Sequence, residues 1–251
     1  MVVESQSLCN GFVSKLVKYK GKASHAAAAP YLGINAVNAS AIGLNSIAFQ
    51  RETFKDSDTV RVHSIITKGG GLVNVIPDEV VIESLVRANN IDAIMDASKK
   101  VDRALKAGAL AMGAKIEIET APGYLPVIPL EPSETMIDIL PKGKIRTVKK
   151  DDHSEGSSDV GDLTHIMPVL KFTTGGCNGA LHSSEFEVID DEIPYIATAK
   201  IMALTVYRIL KENNKEAESI IKDFKPKFTI EEYKEYMDNL ENKIEINYEN
   251  E

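Results

Sequence analysis

Between residues 12 and 120 the hydrophobic period switches repeatedly between two and 3.6, and this alternation constrains the fold more than any other feature of the chain. Residues 12–20 alternate apolar and polar, as a half-buried strand does. From Gly33 to Gln50, Ile34, Val37, Ala41, Leu44 and Ala48 recur at helical spacing. Thr59 to Thr67 and Glu79 to Arg87 are β-rich runs separated by Gly69-Gly70-Gly71. Ile91 to Met112 forms the clearest helix, with Ile94, Val101, Leu105 and Gly108 on one face and Gly113 as its stop. Lys115 to Thr120 alternates strictly. The order β-α-β-β-α-β is that of the ferredoxin-like sandwich. Two helices cover only one face of such a sheet, so the other face and one edge must meet water or a partner, and a dimer joined at an edge is expected.

A second block begins near Ala121, where Pro122, Pro126, Pro129 and Pro132 break the pattern. Ser133 is placed to cap a short helix through Leu140. Residues 145–149 and 169–173 read as short strands, 161–166 as a short helix, and Asp190-Asp191-Glu192 opens a long helix through Leu210. So few strands do not make a complete α/β domain, and a further segment is expected to complete the sheet. The domains expected are therefore 12–121, a ferredoxin-like unit; 122–213, part of an α/β domain; and 214–251, an acidic, helical tail whose stripe of Ile230, Tyr233, Met237, Leu240 and Ile244 would form one helix over Phe228–Ile246.

Charge and cysteine content narrow the functional classes. The net charge is −8, and the stretch from Lys211 to Glu251 holds seven lysines against twelve acids, a net of −5, which leaves the body near balance. No basic surface for nucleic acid is expected, and the acidic balance and absence of Trp also argue against a ferredoxin-like RNA binder. No uninterrupted apolar run reaches the ~18 residues of a membrane span, and the first residues lack the pattern of a signal peptide. Two cysteines, Cys9 and Cys177, make no disulfide framework, so a cytoplasmic location is the expectation.

Four places carry chemistry-bearing side chains. His25, in Gly21-Lys22-Ala23-Ser24-His25, either donates to a developing oxyanion or is a loop histidine held by backbone groups. Asn74 follows the triple glycine and either offers its amide to a ligand or caps a turn. Arg87 ends an apolar strand and suits a carboxylate clamp or a structural ion pair. His182 follows a glycine-rich loop and suits a metal, but zinc needs three or four protein ligands and one imidazole is not a site.

Together, Tyr-Lys-Gly-Lys-Ala-Ser-His (19–25), Gly-Ile-Asn-Ala (33–36), Asn-Val-Ile-Pro-Asp (74–78), Val-Arg (86–87), Gly-Ser-Ser-Asp (156–159) and His-Ser (182–183) resemble the co-catalytic zinc peptidase and amidohydrolase family of aminoacylase, hippurate hydrolase and bacterial glutamate carboxypeptidase. Residues 113–126 and 159–168 resemble its aminobenzoyl-glutamate hydrolase and β-alanyl-dipeptide hydrolase branch. The resemblance implies a lid that mediates homodimerisation and closes on a site with two divalent metals, zinc or manganese. It implies that His25 polarises the scissile carbonyl, Asn74 and Arg87 bind substrate, Ser157 offers its backbone N–H to substrate, and His182 is the last metal ligand. The substrate it implies is a small amide or dipeptide with a free carboxylate. The family's other metal ligands and its general-base Glu have no counterpart here; His63, His153 and His165 do not match ligand positions. The expectation is a piece of an amidohydrolase, inactive by itself and binding no metal pair stably. The competing reading is a non-enzymatic dimerisation or binding module.

Overall fold

A computed structural model describes residues 2–5, 8–128, 146–149, 154 and 156–249 of the 251. The described residues form two compact units.

The larger unit is the ferredoxin-like sandwich. Its elements are β2 (Gly11–Lys20), α1 (Ala36–Phe49), β3 (Arg61–Lys68), β4 (Glu79–Ala88), α2 (Ile91–Met112) and β5 (Lys115–Pro122). Local signals set the helix starts. Asn35 Oδ1 accepts from the Val37 and Asn38 N–H groups, and Asn90 Oδ1 accepts from Ala93 N–H at 2.8 Å, each satisfying donors that a helix N-terminus leaves unpaired. Gly113 ends α2 at φ 61°, the left-handed conformation that glycine adopts without strain. The sheet runs β5-β2-β4-β3, antiparallel throughout, with the first strand of the sandwich next to its third and fourth.

Strand alternation divides the sheet cleanly. Val13, Val17 and Tyr19 of β2, with Val80, Ile82 and Val86 of β4 and Ile116 and Ile118 of β5, are buried under α1 and α2. Leu16, Leu85, Glu83 and Arg87 belong to the other face. The two helices cross on small residues. A methyl group on Gly108 would overlap the Ala39 carbonyl oxygen and sit 2.7 Å from Gly43 N, and one on Gly43 would overlap Tyr19 Oη. Tyr19 rises from the central strand into this crossing and donates to Leu105 O at 2.8 Å; its burial raises the phenol pKa well above the ordinary value.

One charge lies inside. Lys15 points to the helix side, where Nζ is 2.6 Å from Asp102 of α2 and 2.9 Å from Thr120 Oγ1. Burial lowers the Lys15 pKa, while Asp102 pulls it back up.

The tail departs from the expectation of one helix over Phe228–Ile246. The helix α6 (Ile230–Leu240) stops at Leu240, and β10 (Asn242–Asn247) adds to the sheet, antiparallel to β5, giving the order β10-β5-β2-β4-β3. Ile244 continues the helical stripe in sequence, but Ile244 and Ile246 also alternate, and the free edge of β5 supplies a ladder for that alternation. Residues 214–251 are thus two helices and a strand rather than helix alone.

The smaller unit holds a three-stranded sheet, β6-β1-β7, in which β1 (Val2–Ser5) runs parallel to β6 (Arg146–Lys149) and antiparallel to β7 (Phe172–Thr174). The sequence pattern carries no sign of β1. The short helix α3 (Val160–Ile166) begins as expected, while the helix over 133–140 lies outside the described residues. The long helix starts as a wide π-type turn at Glu192–Ala197, around Pro194, and continues as α4 (Thr198–Leu210), followed by α5 (Lys215–Asp223). The stretch Glu192–Leu210 is long and apolar enough, by length and composition, to cross a membrane. Lys200 falls at its centre, where a lysine costs about 2.5–3.5 kcal/mol in a bilayer, which weighs against a membrane span.

Two stability predictions follow from the packing. Gly108→Ala gains about 1 kcal/mol of helix propensity but must push apart two backbones, which costs about 1–3 kcal/mol; urea unfolding will show a net loss. Asp102→Ala, which strands the Lys15 charge, is expected to cost about 3 kcal/mol, and the double variant Lys15→Met/Asp102→Leu to recover most of it. Because the Lys15 pKa lies below its free value of 10.5, the unfolded chain binds more protons between the two values, and stability rises with pH across that interval.

Candidate active-site lid

The residues singled out in the sequence gather at two places on the larger unit, with one left on the smaller unit. His25 and Asn74 come together first. The loop after β2 runs antiparallel to the segment before β4: His25 bridges Val75, the Ala26 N–H donates to Asn74 O at 2.9 Å, and the Ile76 N–H donates to Ser24 O at 2.9 Å. His25 Nδ1 accepts from the N–H groups of Ala27 at 3.2 Å and Ala28 at 3.1 Å. That fixes Nδ1 as an acceptor, so the neutral ring carries its proton on Nε2. Backbone groups thus hold one nitrogen, and the exposed ring keeps the other as a donor. Asn74 is exposed on the adjoining turn, beside the exposed side chains of Leu72 and Val73.

Arg87 and Ser157 form the second pair. Arg87 Nη1 lies 3.5 Å from Ser157 Oγ, and its guanidinium stands 5.6 Å from the centroid of the Phe12 ring. Tyr124 meets Phe12 edge-on at 5.2 Å. The Asn10 N–H donates to Gly156 O at 2.9 Å and so ties the Gly-Ser-Ser-Asp turn to the sheet end. Arg87 Nε is buried with no hydrogen-bond partner, and Arg87 makes no ion pair with a carboxylate among the described residues. Among the described residues, then, no ion pair holds this arginine. It is oriented by an aromatic ring and a hydroxyl, with donors left for a carboxylate. Ser157 meets Arg87 through its hydroxyl; no bond to its backbone N–H is seen within the described residues. Sequence reasoning missed Phe12 and Tyr124, although the alternation of β2 puts Phe12 on the same face as Arg87.

Beside Arg87 lies a groove of about 490 Å³ on the open face of the sheet, lined by Ser14, Leu16, His63, Ile65, Glu83 and Leu85 among others. Partial burial lowers the His63 pKa below 6.5, and the positive charges of Arg87 and Arg61 lower it further.

His182 sits on the smaller unit, exposed, in the connection between β8 (Cys177–Asn178) and β9 (Glu187–Val188), with φ 62°. No three His, Cys, Asp or Glu side chains among the described residues gather in a way that would hold a metal ion. A pair of metals does not fit the described residues, since each needs several ligands and His182 is one.

Residues 10–112 match the peptidase dimerisation domain of the M20 peptidases. This segment is an M20-family dimerisation domain. The chain is 29% identical over 227 residues to the Xaa-Arg dipeptidase of Homo sapiens, covering 86% of this chain and 51% of that protein. The chain thus spans about half the length of the curated relatives it matches. Among solved structures, an aminopeptidase from Bacillus cereus superposes with TM-score 0.62 at 19% identity, over 83% of this chain and 54% of the other. A dinuclear metal-binding M20 peptidase from Bacillus subtilis superposes at 0.54 with 17% identity, over 84% and 53%. The resemblance to the zinc peptidase and amidohydrolase family is borne out, as is the ferredoxin-like fold. The kinship with dipeptidases supports a peptidase-like function.

The electrostatics yield a direct test. The His63 imidazole, followed by NMR, is expected to titrate below 6.5, and Arg87→Gln to move its midpoint upward. An unchanged midpoint would place Arg87 too far away to act on this face.

Proposed function

We propose that this chain is the dimerising, substrate-clamping part of a metal-dependent amidohydrolase that cleaves the amide bond of N-acyl amino acids, aminobenzoyl-glutamate or dipeptides with a free carboxylate. The observation that carries the reading is Arg87, oriented by Phe12 and Ser157 and in no ion pair among the described residues. Its Nη groups have only the 3.5 Å contact with Ser157 Oγ among the described residues, and a substrate carboxylate would accept from such donors bidentately. His25 adds an Nε2 donor for the carbonyl oxygen as negative charge develops there, and Asn74 adds its amide nearby. The human relative is an Xaa-Arg dipeptidase, which favours a dipeptide among these substrates.

The metal pair is proposed to draw its ligands from outside the described residues, with His182 supplying one. Zinc or manganese would polarise the amide carbonyl and activate a water. The chain alone is then inactive. The apolar side chains exposed along α4, including Met202, Leu204, Val206 and Leu210, mark a surface that the rest of an α/β layer would cover. A cytoplasmic location and the absence of nucleic-acid and membrane partners remain part of the proposal, on charge and cysteine content.

Homodimerisation is proposed through β3. The β10 strand covers the β5 edge, which leaves β3 as the open edge of this sheet among the described residues. Ile66 on that strand and Phe49 at the end of α1 are 51% and 76% exposed, more than a stable monomer surface needs. Two copies related by a twofold axis would pair their β3 strands antiparallel and bury both groups.

Three measurements check this reading. With zinc, manganese or cobalt, the chain alone is expected to hydrolyse none of these substrate classes, and metal-stimulated turnover would refute its dependence on outside ligands. Joined to the metal-binding half of a related peptidase, it should acquire activity. There Arg87→Ala should lower kcat/KM for carboxylate-bearing substrates by roughly 10–100-fold while sparing the carboxamides. Light scattering should give twice the chain mass of 27.4 kDa for the wild type and the single mass for Ile66→Lys, which sets a charge on the pairing edge.

A further inference from the structure

The C-terminal strand repeats the strand it pairs with. Residues 115–118 of β5 read Lys-Ile-Glu-Ile, and so do residues 243–246 of β10. The two strands are antiparallel, with Lys243 opposite Glu119, Ile244 opposite Ile118, Glu245 opposite Glu117 and Ile246 opposite Ile116. This register centres one motif on the other. Consider a β5 strand from a second chain, laid antiparallel along β5 with Glu117 opposite Glu117. Its Lys115, Ile116, Glu117 and Ile118 would occupy the places that Lys243, Ile244, Glu245 and Ile246 hold.

The contacts correspond as well. Ile244 and Ile246 pack against the core of the sandwich. On the open face Lys243 pairs with Glu119 at 2.9 Å, the contact that Lys115 of a second chain would make. Even the like charges are reproduced, for Glu245 faces Glu117 and Lys115 pairs with both. Strand periodicity demands alternation only; it does not demand this order of charges in this register.

We propose that β10 stands in for the β5 strand of a second copy, so that the tail holds shut an edge through which two chains pair β5 to β5. The pair is related by a twofold axis at Glu117. Its charges match at both ends, because Glu119 of each copy meets Lys115 of the other, whereas the tail sets Asn247 opposite Lys115. The tail prevails because it is tethered. A short segment of the same chain acts at an effective concentration on the order of millimolar, far above that of a second molecule in dilute solution. Asn247 also keeps the new edge from pairing in turn. Two β10 strands centred on Glu245 would set Lys243 against Asn247, where β5 has an acid. A short edge strand with unmatched charge resists such growth. The tail thus leaves β3 for the dimer proposed above, and its own role does not depend on that dimer.

The test is light scattering of the full chain carrying Ile66→Lys, which keeps β3 out of the measurement. This parent is expected at the single mass. Lys243→Glu/Ile246→Asp, which sets a like charge opposite Glu119 and another against the core while leaving β5 unaltered, is expected to double it. A chain ending at Thr229 is expected at twice its own mass. Glu119→Lys added to that shortened chain should return it to the single mass, because lysines then face lysines at both ends of the twofold pair. A peptide with the sequence of residues 241–251, added in excess, should do the same by refilling the edge. Single masses for the Lys243→Glu/Ile246→Asp variant and the shortened chain overturn the proposal. A doubled mass that ignores both Glu119→Lys and the peptide reports exposed apolar surface rather than strand pairing, and overturns it too. If circular dichroism shows the shortened chain unfolded, the full-chain variant decides alone, with Glu119→Lys added to it as the control.

Discussion

The larger unit depends on one crowded crossing. Tyr19, from the central strand, reaches between α1 and α2 and donates to Leu105 O, and Gly43 and Gly108 leave the room it needs. This contact sets how closely the two helices lie over the sheet, and hence which side chains of β2 and β4 are covered. With the helix side filled, every alternate residue of those strands is committed to the other face. Arg87, Leu85 and Glu83 face away from the helices because Val86, Ser84 and Ile82 face towards them. The position of the clamp is thus a consequence of packing on the opposite side of the sheet.

That open face is divided electrostatically. Over β10, β5 and the near part of β2, lysines and glutamates alternate across strands and neutralise each other, as in the Lys20–Glu117 and Lys243–Glu119 pairs. Such exposed pairs contribute little to stability. On β3 and β4 the pairing among the described residues is limited to Lys68 and Glu79, at one end of the two strands. Leu16, Ile65 and Leu85 line a groove together with His63 and Glu83, and the charges of Arg87 and Arg61 help to lower the His63 pKa. Among the described residues, the ion pairs and the groove thus occupy different parts of the same face.

Much of the larger unit was legible in residue order. The strands and helices between residues 11 and 122 follow from periodicity, Asn35, Asn90 and Gly113 mark helix ends by their chemistry, and the motif order points to the peptidase family. The candidate site was legible only residue by residue. His25 and Asn74 lie 49 positions apart in sequence and meet because the loop after β2 pairs with the segment before β4. The tail misled because a short amphipathic stretch satisfies both periods. Ile244 fits the stripe of α6, yet it belongs to a strand, and the deciding factor is the unpaired edge of β5 rather than anything in residues 241–247.

The amino-acid sequence by itself determined the order of the elements, the buried stripe of each, and the chemical types available for binding, because these depend on local periodicity and on side-chain identity. Only the tertiary structure decided that Glu79, Glu117, Glu119 and Glu245 pair with lysines, that Phe12 and Ser157 lie against Arg87, and that Arg87 and Glu83 are in no ion pair among the described residues. Whether a charged group is paired depends on which strands are neighbours and in what register. That is a property of long-range pairing, to which the spacing of residues along the chain is blind.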